Sequence, residues 1–288
     1  MRGAPETMTV LRPKSAKEAV SLYAQDTGAM PLAGGTDFMV LWNIGLFNNR
    51  KILDLSGVRD WRKISATRTS VVIGALATHA EIRRHPLILK EFPLLAEACA
   101  TIGAAQIQNR GTLGGNIANA SPAGDTFPPL LVYEAVVHLV SARGKRELPI
   151  SEVFAGVKRT TLLKGELIES VELPSLGKRP TRQIFRKVGM RLAQAISKTA
   201  AAGLLTLGKG GVVEDFRFSF GSIAQTAVRL TEAESLVVGK KLAPSVIDEA
   251  CRLMERNVSP IDDIRSTREY RLEVSRNILR RFLEGNRT

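Results

Sequence analysis

The sequence predicts an α+β protein of two domains. The first is larger and alternates strands with helices; the second is a small antiparallel sheet closed by helices. Three observations predict this. Strand and helix signals alternate through the first third of the chain. The stretch Pro174 to Pro180 (PSLGKRP) breaks the pattern as an interdomain linker does. Beyond it come apolar runs of strand length, then two of helical period. The 288 residues suffice for a substantial core and two domains. With 44% hydrophobic and 24% charged residues the composition is that of an ordinary globular chain, which sets disorder aside.

Taken in order, Val10 and Leu11 end at Pro13 as a short strand. Ser15-Ala-Lys-Glu18 is a capping-box pattern opening a helix that Gly28 can close. Met30 to Ala33 reads as a strand running into Gly34-Gly35. Ile52 to Leu55 and Val71 to Ile73 are further strands. Thr78-His-Ala-Glu81 is a second capping box, starting a short helix that stops before Pro86. Leu87 to Thr101 reads as one helix. Residues 103–129 read as a long loop rich in Gly, Asn, Ser and Pro, and a loop of that length is usually functional.

Ala135 to Ser141 returns to a strand, Ser151 can cap a short helix, and Glu166 to Leu173 is a strand stopped by Pro174. After the linker, Gln183 to Val188, Ser197 to Leu207 and Val212 to Gly221 form the small antiparallel sheet. The run SKTAAAGLLTLG suits a helix by propensity, but its Thr and Gly favour the strand. Pro244 to Asn257 and Thr267 to Leu283 are the closing helices, the last with Tyr270, Val274, Ile278 and Phe282 on one face.

Composition narrows the function. Leu130 to Val140 is the most apolar long stretch; it is too short to span a bilayer and contains Glu134 and His138. No apolar run near the start resembles a secretory signal, so the expected compartment is the cytoplasm. Two cysteines, Cys99 and Cys251, cannot hold an iron–sulfur cluster that needs about four thiolates. His79, His85 and His138 match no metal-ligand spacing and read as structural residues. The net charge of +13 raises nucleic-acid binding, but the basic residues are interleaved with acids and aromatics are only 5%, poor for base stacking. No nucleic-acid partner is expected. One stretch differs: no acid lies between Glu172 and Glu214, while Lys178, Arg179, Arg182, Arg186, Lys187, Arg191, Lys198 and Lys209 do. A solvated face, an anionic cofactor or an acidic partner would each account for it.

Two loops carry the chemistry. In Leu32-Ala33-Gly34-Gly35-Thr36-Asp37 a strand enters two glycines, a hydroxyl and a carboxylate. Glycine lets backbone N–H groups approach a ligand without a Cβ in the way, and successive N–H groups make an anion-binding concavity. By itself a Gly-Gly pair is more often only a turn than a ligand site. The second loop, Gly111-Thr-Leu-Gly-Gly-Asn-Ile-Ala-Asn-Ala-Ser-Pro-Ala-Gly-Asp125, concentrates small polar groups on a flexible backbone. It is neither the G-x-G-x-x-G of a Rossmann domain nor an ATP-binding P-loop.

Together AGGTDFM and TLGGNIANASPAGD resemble the FAD-binding subunits of the xanthine dehydrogenase and carbon monoxide dehydrogenase family of molybdenum hydroxylases. GELIESVELP at 165–174 and FRKVGMRLAQAIS at 185–197 continue the likeness in the same order, and it covers nearly the whole chain. The resemblance implies a two-lobed FAD domain of the vanillyl-alcohol-oxidase (PCMH) type over residues 1–176. A smaller α+β flavoprotein domain would follow over 177–288. Leu32, Ala33, Gly34, Gly35, Thr36, Asp37, Phe38 and Met39 would wrap the diphosphate. Thr112, Leu113, Gly114, Gly115 and Asn116 would hold it from the other side. Ser121 and Asp125 would contact the ribityl or phosphate part, and Ile168 the adenine or flavin ring. Lys187 would lie near the isoalloxazine, where a fixed cation favours reduction.

The resemblance also implies partners. A molybdenum-binding large subunit would hydroxylate the substrate, and a small iron–sulfur subunit would pass electrons through 2Fe–2S clusters to this FAD. NAD, a quinone or oxygen would then be reduced. No side chain here need act as a catalytic acid or base. The absence of a histidine between Gly34 and Asn43 predicts non-covalent FAD. Two cysteines set aside the cluster-bearing benzoyl-CoA-reductase branch. Ser121-Pro-Ala-Gly replaces the acid and Asn of the carbon monoxide branch, leaning toward purines or other N-heterocycles. A self-contained flavin oxidase of the same fold is the alternative, and a basic, cofactor-free binding protein is a third reading.

Overall fold

The computed structural model describes residues 5–191 and 194–285. Leu192 and Ala193, within the FRKVGMRLAQAIS run, lie outside the described residues.

A small parallel sheet opens the chain. Lys51–Asp54 lies between Thr9–Leu11 and Met30–Leu32. Parallel neighbours need a crossover, and the helix Ala16–Gln25 supplies it between the two outer strands. The Ser15 hydroxyl accepts from Glu18 N–H, whereas the Glu18 carboxylate accepts from Lys14 N–H rather than closing the box. The helix stops at Gln25, with Asp26 and not Gly28 as its C-cap.

The second sheet is antiparallel. Its five strands run in the order Ile64–Ala66, Ser70–Gly74, Leu167–Pro174, Val136–Ser141, Gly144–Pro149. The alternation in Val136–Ser141 turns Val137 and Leu139 into the core. His138 lies on the other face and bonds the Glu172 carboxylate across the strands at 2.8 Å.

The helix expected over 87–101 is two helices, Pro86–Glu91 and Pro93–Thr101. Pro93 disfavours helical geometry at the residue before it, and Phe92 accordingly has φ −134°. The loop expected over 103–129 contains the helices Ala105–Gln108, Leu113–Asn119 and Phe127–Val132. Each is two turns or shorter, too short to establish a visible 3.6 period. They are held by packing: Leu113, Ile117, Phe127 and Leu130 are buried in the core of the first domain.

The third sheet, also antiparallel, runs Arg182–Val188, Thr199–Leu207, Val213–Gly221, Val228–Arg229. Thr199–Leu207 is a strand buried on both faces. Ala202 and Leu204 enter the core of the preceding domain, while Ala201 and Leu205 enter that of their own. A Cβ at Gly203 would come 2.5 Å from the Phe218 ring. A strand sandwiched between two cores needs small residues and shows no polar alternation, so its sequence reads equally as a helix.

The helices Thr231–Val237, Pro244–Asn257 and Arg268–Glu284 pack on this sheet around Phe216, Phe218 and Phe282. The last helix is rotated from the expected face. It buries Arg271, Ser275, Ile278, Leu279, Phe282 and Leu283, and turns Tyr270 outward. Arg271 can enter because its charge is met inside, by Asp263 at 2.8 Å and by the carbonyls of Lys198 and Ser222 at 2.6 and 3.0 Å.

Candidate functional site

The two glycine loops meet. A Cβ at Gly34 would fall 1.9 Å from the Arg110 carbonyl oxygen, and one at Gly115 would fall 3.7 Å from the Ala33 Cβ. The first loop leaves the carboxyl end of Met30–Leu32, where parallel sheets characteristically open to ligands. A cavity of about 750 Å³ lies over both loops, a size that suits a cofactor. Phe38, Leu41 and Phe47 are on its wall, and the rings of Phe38 and Phe47 stack at 5.1 Å. Ile102, Ile107, Tyr23 and Leu163 add further apolar surface.

The loops differ in role. Among the described residues, no group accepts a hydrogen bond from the N–H of Gly34, Gly35, Thr36 or Asp37. Gly35 has φ +74°, as an N–H concavity requires. In the second loop the N–H groups of Leu113 to Asn116 are spent. Leu113 and Gly114 donate to Ala77 and Ala75 carbonyls at 3.1 and 2.8 Å, and Gly115 and Asn116 donate to Thr112. A Cβ at Gly114 would lie 2.7 Å from the Ala75 Cβ. The open N–H groups thus lie on the first loop, and those of Leu113 to Asn116 are tied to the chain behind it.

Of the predicted residues, the cavity wall gathers Leu32, Ala33, Gly34, Gly35, Thr36, Asp37, Phe38, Thr112, Gly114, Gly115, Asn116 and Ile168. Five do not line it. Met39 is exposed beside Gly35, and Leu113 is buried in the core. The Ser121 hydroxyl accepts from Ala123 N–H and shapes its own turn. Asp125 and Lys187 pair with each other at 2.6 Å, both about nine-tenths buried. Lys187 also donates to the Thr101 carbonyl at 3.0 Å, and Ser197 donates to Asp125. Lys187 thus reaches the edge of the wall, one residue from Ile102, with its charge already met. Burial pushes the Asp125 carboxyl up, against the pull of Lys187 and Ser197.

The acid-free stretch finds its partners elsewhere in the chain. Lys178 pairs with Glu214 at 2.6 Å, Arg182 caps the carbonyls of Phe282 and Leu283, and Lys198 sits over the Tyr270 ring. Arg179, Arg186 and Lys209 are exposed.

The site also holds residues the sequence did not mark. His79 is on the wall and 2% exposed. Burial lowers its pKa to about 4, so the ring is neutral near pH 7. Lys158, with φ +55°, ties the loops at their outer edge, 2.7 Å from Asn119 Oδ1 and 3.6 Å from Asp37. Burial alone would push the Glu166 carboxyl on the wall up. Two bonds from Arg146, at 2.9 and 2.8 Å, and one from Leu163 N–H hold it below the usual range. Only the capping box around His79 was visible beforehand; the other residues come from distant segments. No group of His, Cys, Asp and Glu able to hold a metal ion occurs among the described residues.

A ligand that fits has an anionic middle for the open N–H groups and the Thr36 hydroxyl, and flat apolar ends for the walls. A flavin dinucleotide has this form. The family described as "FAD binding domain in molybdopterin dehydrogenase" matches residues 6–176. The chain belongs to that family. It is an oxidoreductase component, and FAD is its cofactor. The CO dehydrogenase flavoprotein C-terminal domain matches residues 184–285. The family member is 30% identical over 271 residues to the glyceraldehyde dehydrogenase medium chain of Sulfolobus acidocaldarius, covering 94% of this chain and 95% of the other. It is 28% identical over 267 residues to the xanthine dehydrogenase FAD-binding subunit of Escherichia coli O157:H7, covering 92% and 91%. Its fold superposes on a chain of carbon monoxide dehydrogenase from Hydrogenophaga pseudoflava with a TM-score of 0.90, at 26% identity and 96% coverage of both chains. The α+β architecture, a flavin domain followed by a smaller flavoprotein domain, is the one expected from the sequence.

Proposed function

We propose that this chain is the flavin subunit of a three-subunit molybdenum hydroxylase. In this reading it takes electrons from 2Fe–2S clusters on a small subunit, fed by a molybdenum-binding large subunit, and delivers them to NAD, a quinone or oxygen. The observation that carries the reading is the row of unpaired N–H groups at Gly34–Asp37, facing a cavity with aromatic and aliphatic ends. FAD supplies the electron-transfer chemistry when bound. The chain's own residues bind and orient it. Gly34 to Asp37 and Thr36 Oγ1 hold the diphosphate, and Thr112 with Gly114 and Gly115 keeps that loop in place. Phe38 and Ile168 pack on the ring systems. Ser121, Asp125 and Lys187 act indirectly, by fixing the second domain against residues 101–102 of the wall.

Several observations favour a relay over a self-contained oxidase. Both cysteines are buried and free, too few for a cluster, so iron and molybdenum chemistry falls to partner chains. On the wall, the Glu166 carboxylate is tied to Arg146 and is not free to act as a base on a substrate. Relatives' names span glyceraldehyde, nicotine, xanthine and carbon monoxide, so the hydroxylated substrate is set by the large subunit. The domain boundary falls at 176/177, FAD is bound without a covalent bond, and the complex is cytoplasmic. No described helix is long and apolar enough to cross a membrane.

The experiment is purification with partner genes present, then acid release of the chromophore. FAD in the supernatant and co-purification of one iron–sulfur and one molybdenum chain are expected. FMN or no flavin overturns the cofactor assignment, and a lone chain with full substrate turnover overturns the relay.

A further inference from the structure

We propose that His79 presents Nε2–H as a neutral hydrogen-bond donor to the FAD diphosphate, with Cys99 fixing its tautomer. The inference rests on the FAD reading above. Three contacts place the ring. The His79 backbone N–H donates to the Gly111 carbonyl at 3.0 Å, which pins the residue to the second loop. A Cβ at Gly111 would meet His79 Cδ2 at 3.1 Å and Thr36 Oγ1 at 3.3 Å. The Cδ2 edge of the ring and the Thr36 hydroxyl therefore both border Gly111, where the two loops converge.

The opposite edge is occupied. Nδ1 lies 3.6 Å from Cys99 Sγ, at hydrogen-bond range for sulfur. No described group bonds Nε2, although the residue is 98% shielded and on the cavity wall. Nε2 is not sealed off like the buried, unpartnered ring nitrogens of Trp61 and His85; it keeps an opening through which a ligand in the cavity can meet it.

The proposed tautomer has the thiol as donor to Nδ1. Burial keeps the imidazole neutral, so it has one N–H. Burial also pushes the Cys99 thiol up, so S–H persists at all ordinary pH. The thiol donates to Nδ1, and the ring proton resides on Nε2. A neutral donor adds to the open N–H row of Gly34–Asp37 without adding charge beside the flavin. Hydrogen bonds to charged groups of this kind are worth about 10- to 100-fold in affinity.

The test uses the full chain freed of flavin and titrated with FAD. His79→Leu is expected to weaken FAD and ADP alike, by about 10- to 100-fold, and to leave riboflavin unaffected. His79→Gln, which retains an N–H donor, stays within about fivefold of the parent chain. With only three histidines in the sequence, long-range ¹H–¹⁵N spectra can assign the ring. They should show the Nε2–H form of His79, with its Nε2 resonance moving on FAD addition. If His79→Leu does not fold, the glutamine variant and these spectra decide. An Nδ1–H tautomer, an Nε2 resonance indifferent to FAD, or unchanged affinity in His79→Leu overturns the inference while the FAD reading stands. Failure of the parent chain to bind any flavin overturns both.

Discussion

Lys187→Met should destabilise the chain by about 3–5 kcal/mol, the usual cost of leaving one member of a buried ion pair alone. The structure sets that scale. Asp125 comes from the segment between two helices of the first domain, Lys187 from the first strand of the second. Their side chains are 8% and 9% exposed and 2.6 Å apart. Asp125 takes a further bond from Ser197, and Lys187 gives one to the Thr101 carbonyl. Removing the ammonium leaves a carboxylate that burial already pushes toward its neutral form. The assay is urea and thermal unfolding of the full chain, Lys187→Met, Asp125→Asn and the double variant. Each single variant should lose about 5–8 °C in Tm. The double variant should lose no more than the worse single, because the unpaired charge disappears with its partner. Additive losses, or single losses below about 1 kcal/mol, would refute the claim that this pair clamps the domains.

Other outcomes follow from the same geometry. Gly34→Ala places a methyl 1.9 Å from the Arg110 carbonyl oxygen, so the loops must part; a loss of about 1–3 kcal/mol in urea unfolding and of most FAD affinity by fluorescence titration is expected. His79 has a folded pKa of about 4, below its ordinary 6.5, so the unfolded chain binds the proton first. Its contribution, about 3 kcal/mol, is complete above pH 6.5 and lost as pH falls toward 4, and His79→Gln should flatten that part of the stability profile. Burial pushes the Asp263 carboxyl up, but hydrogen bonds from Arg265, Arg271 and Ser266 hold it at about 2. Asp263→Asn should therefore cost about 2 kcal/mol at pH 7, and the gap from the parent chain should close between pH 4 and 2.

The legibility of this chain varied by region for physical reasons. Local chemistry was readable. The Thr78–Glu81 capping box, the helix Pro244–Asn257 and the turn at Gly34-Gly35 depend on residues within a few positions of each other. Short helices between 105 and 132 were not readable, because burial against a sheet sustains them and not their own period. The face of Arg268–Glu284 was misjudged for a similar reason. Arg271 is a core residue only because Asp263 and two carbonyls surround it.

The sequence by itself determined the α+β class, the order of the two domains and the glycine loops. Tertiary structure decided which glycine loop offers free N–H groups, because that depends on what the Ala75–Ala77 backbone has already taken. It decided that Lys187 is met by Asp125, 62 residues away, and that His79 belongs to the site and not only to the core. Those are pairings across the chain. A hydrogen bond has no signature in sequence until the fold brings both partners within about 3 Å.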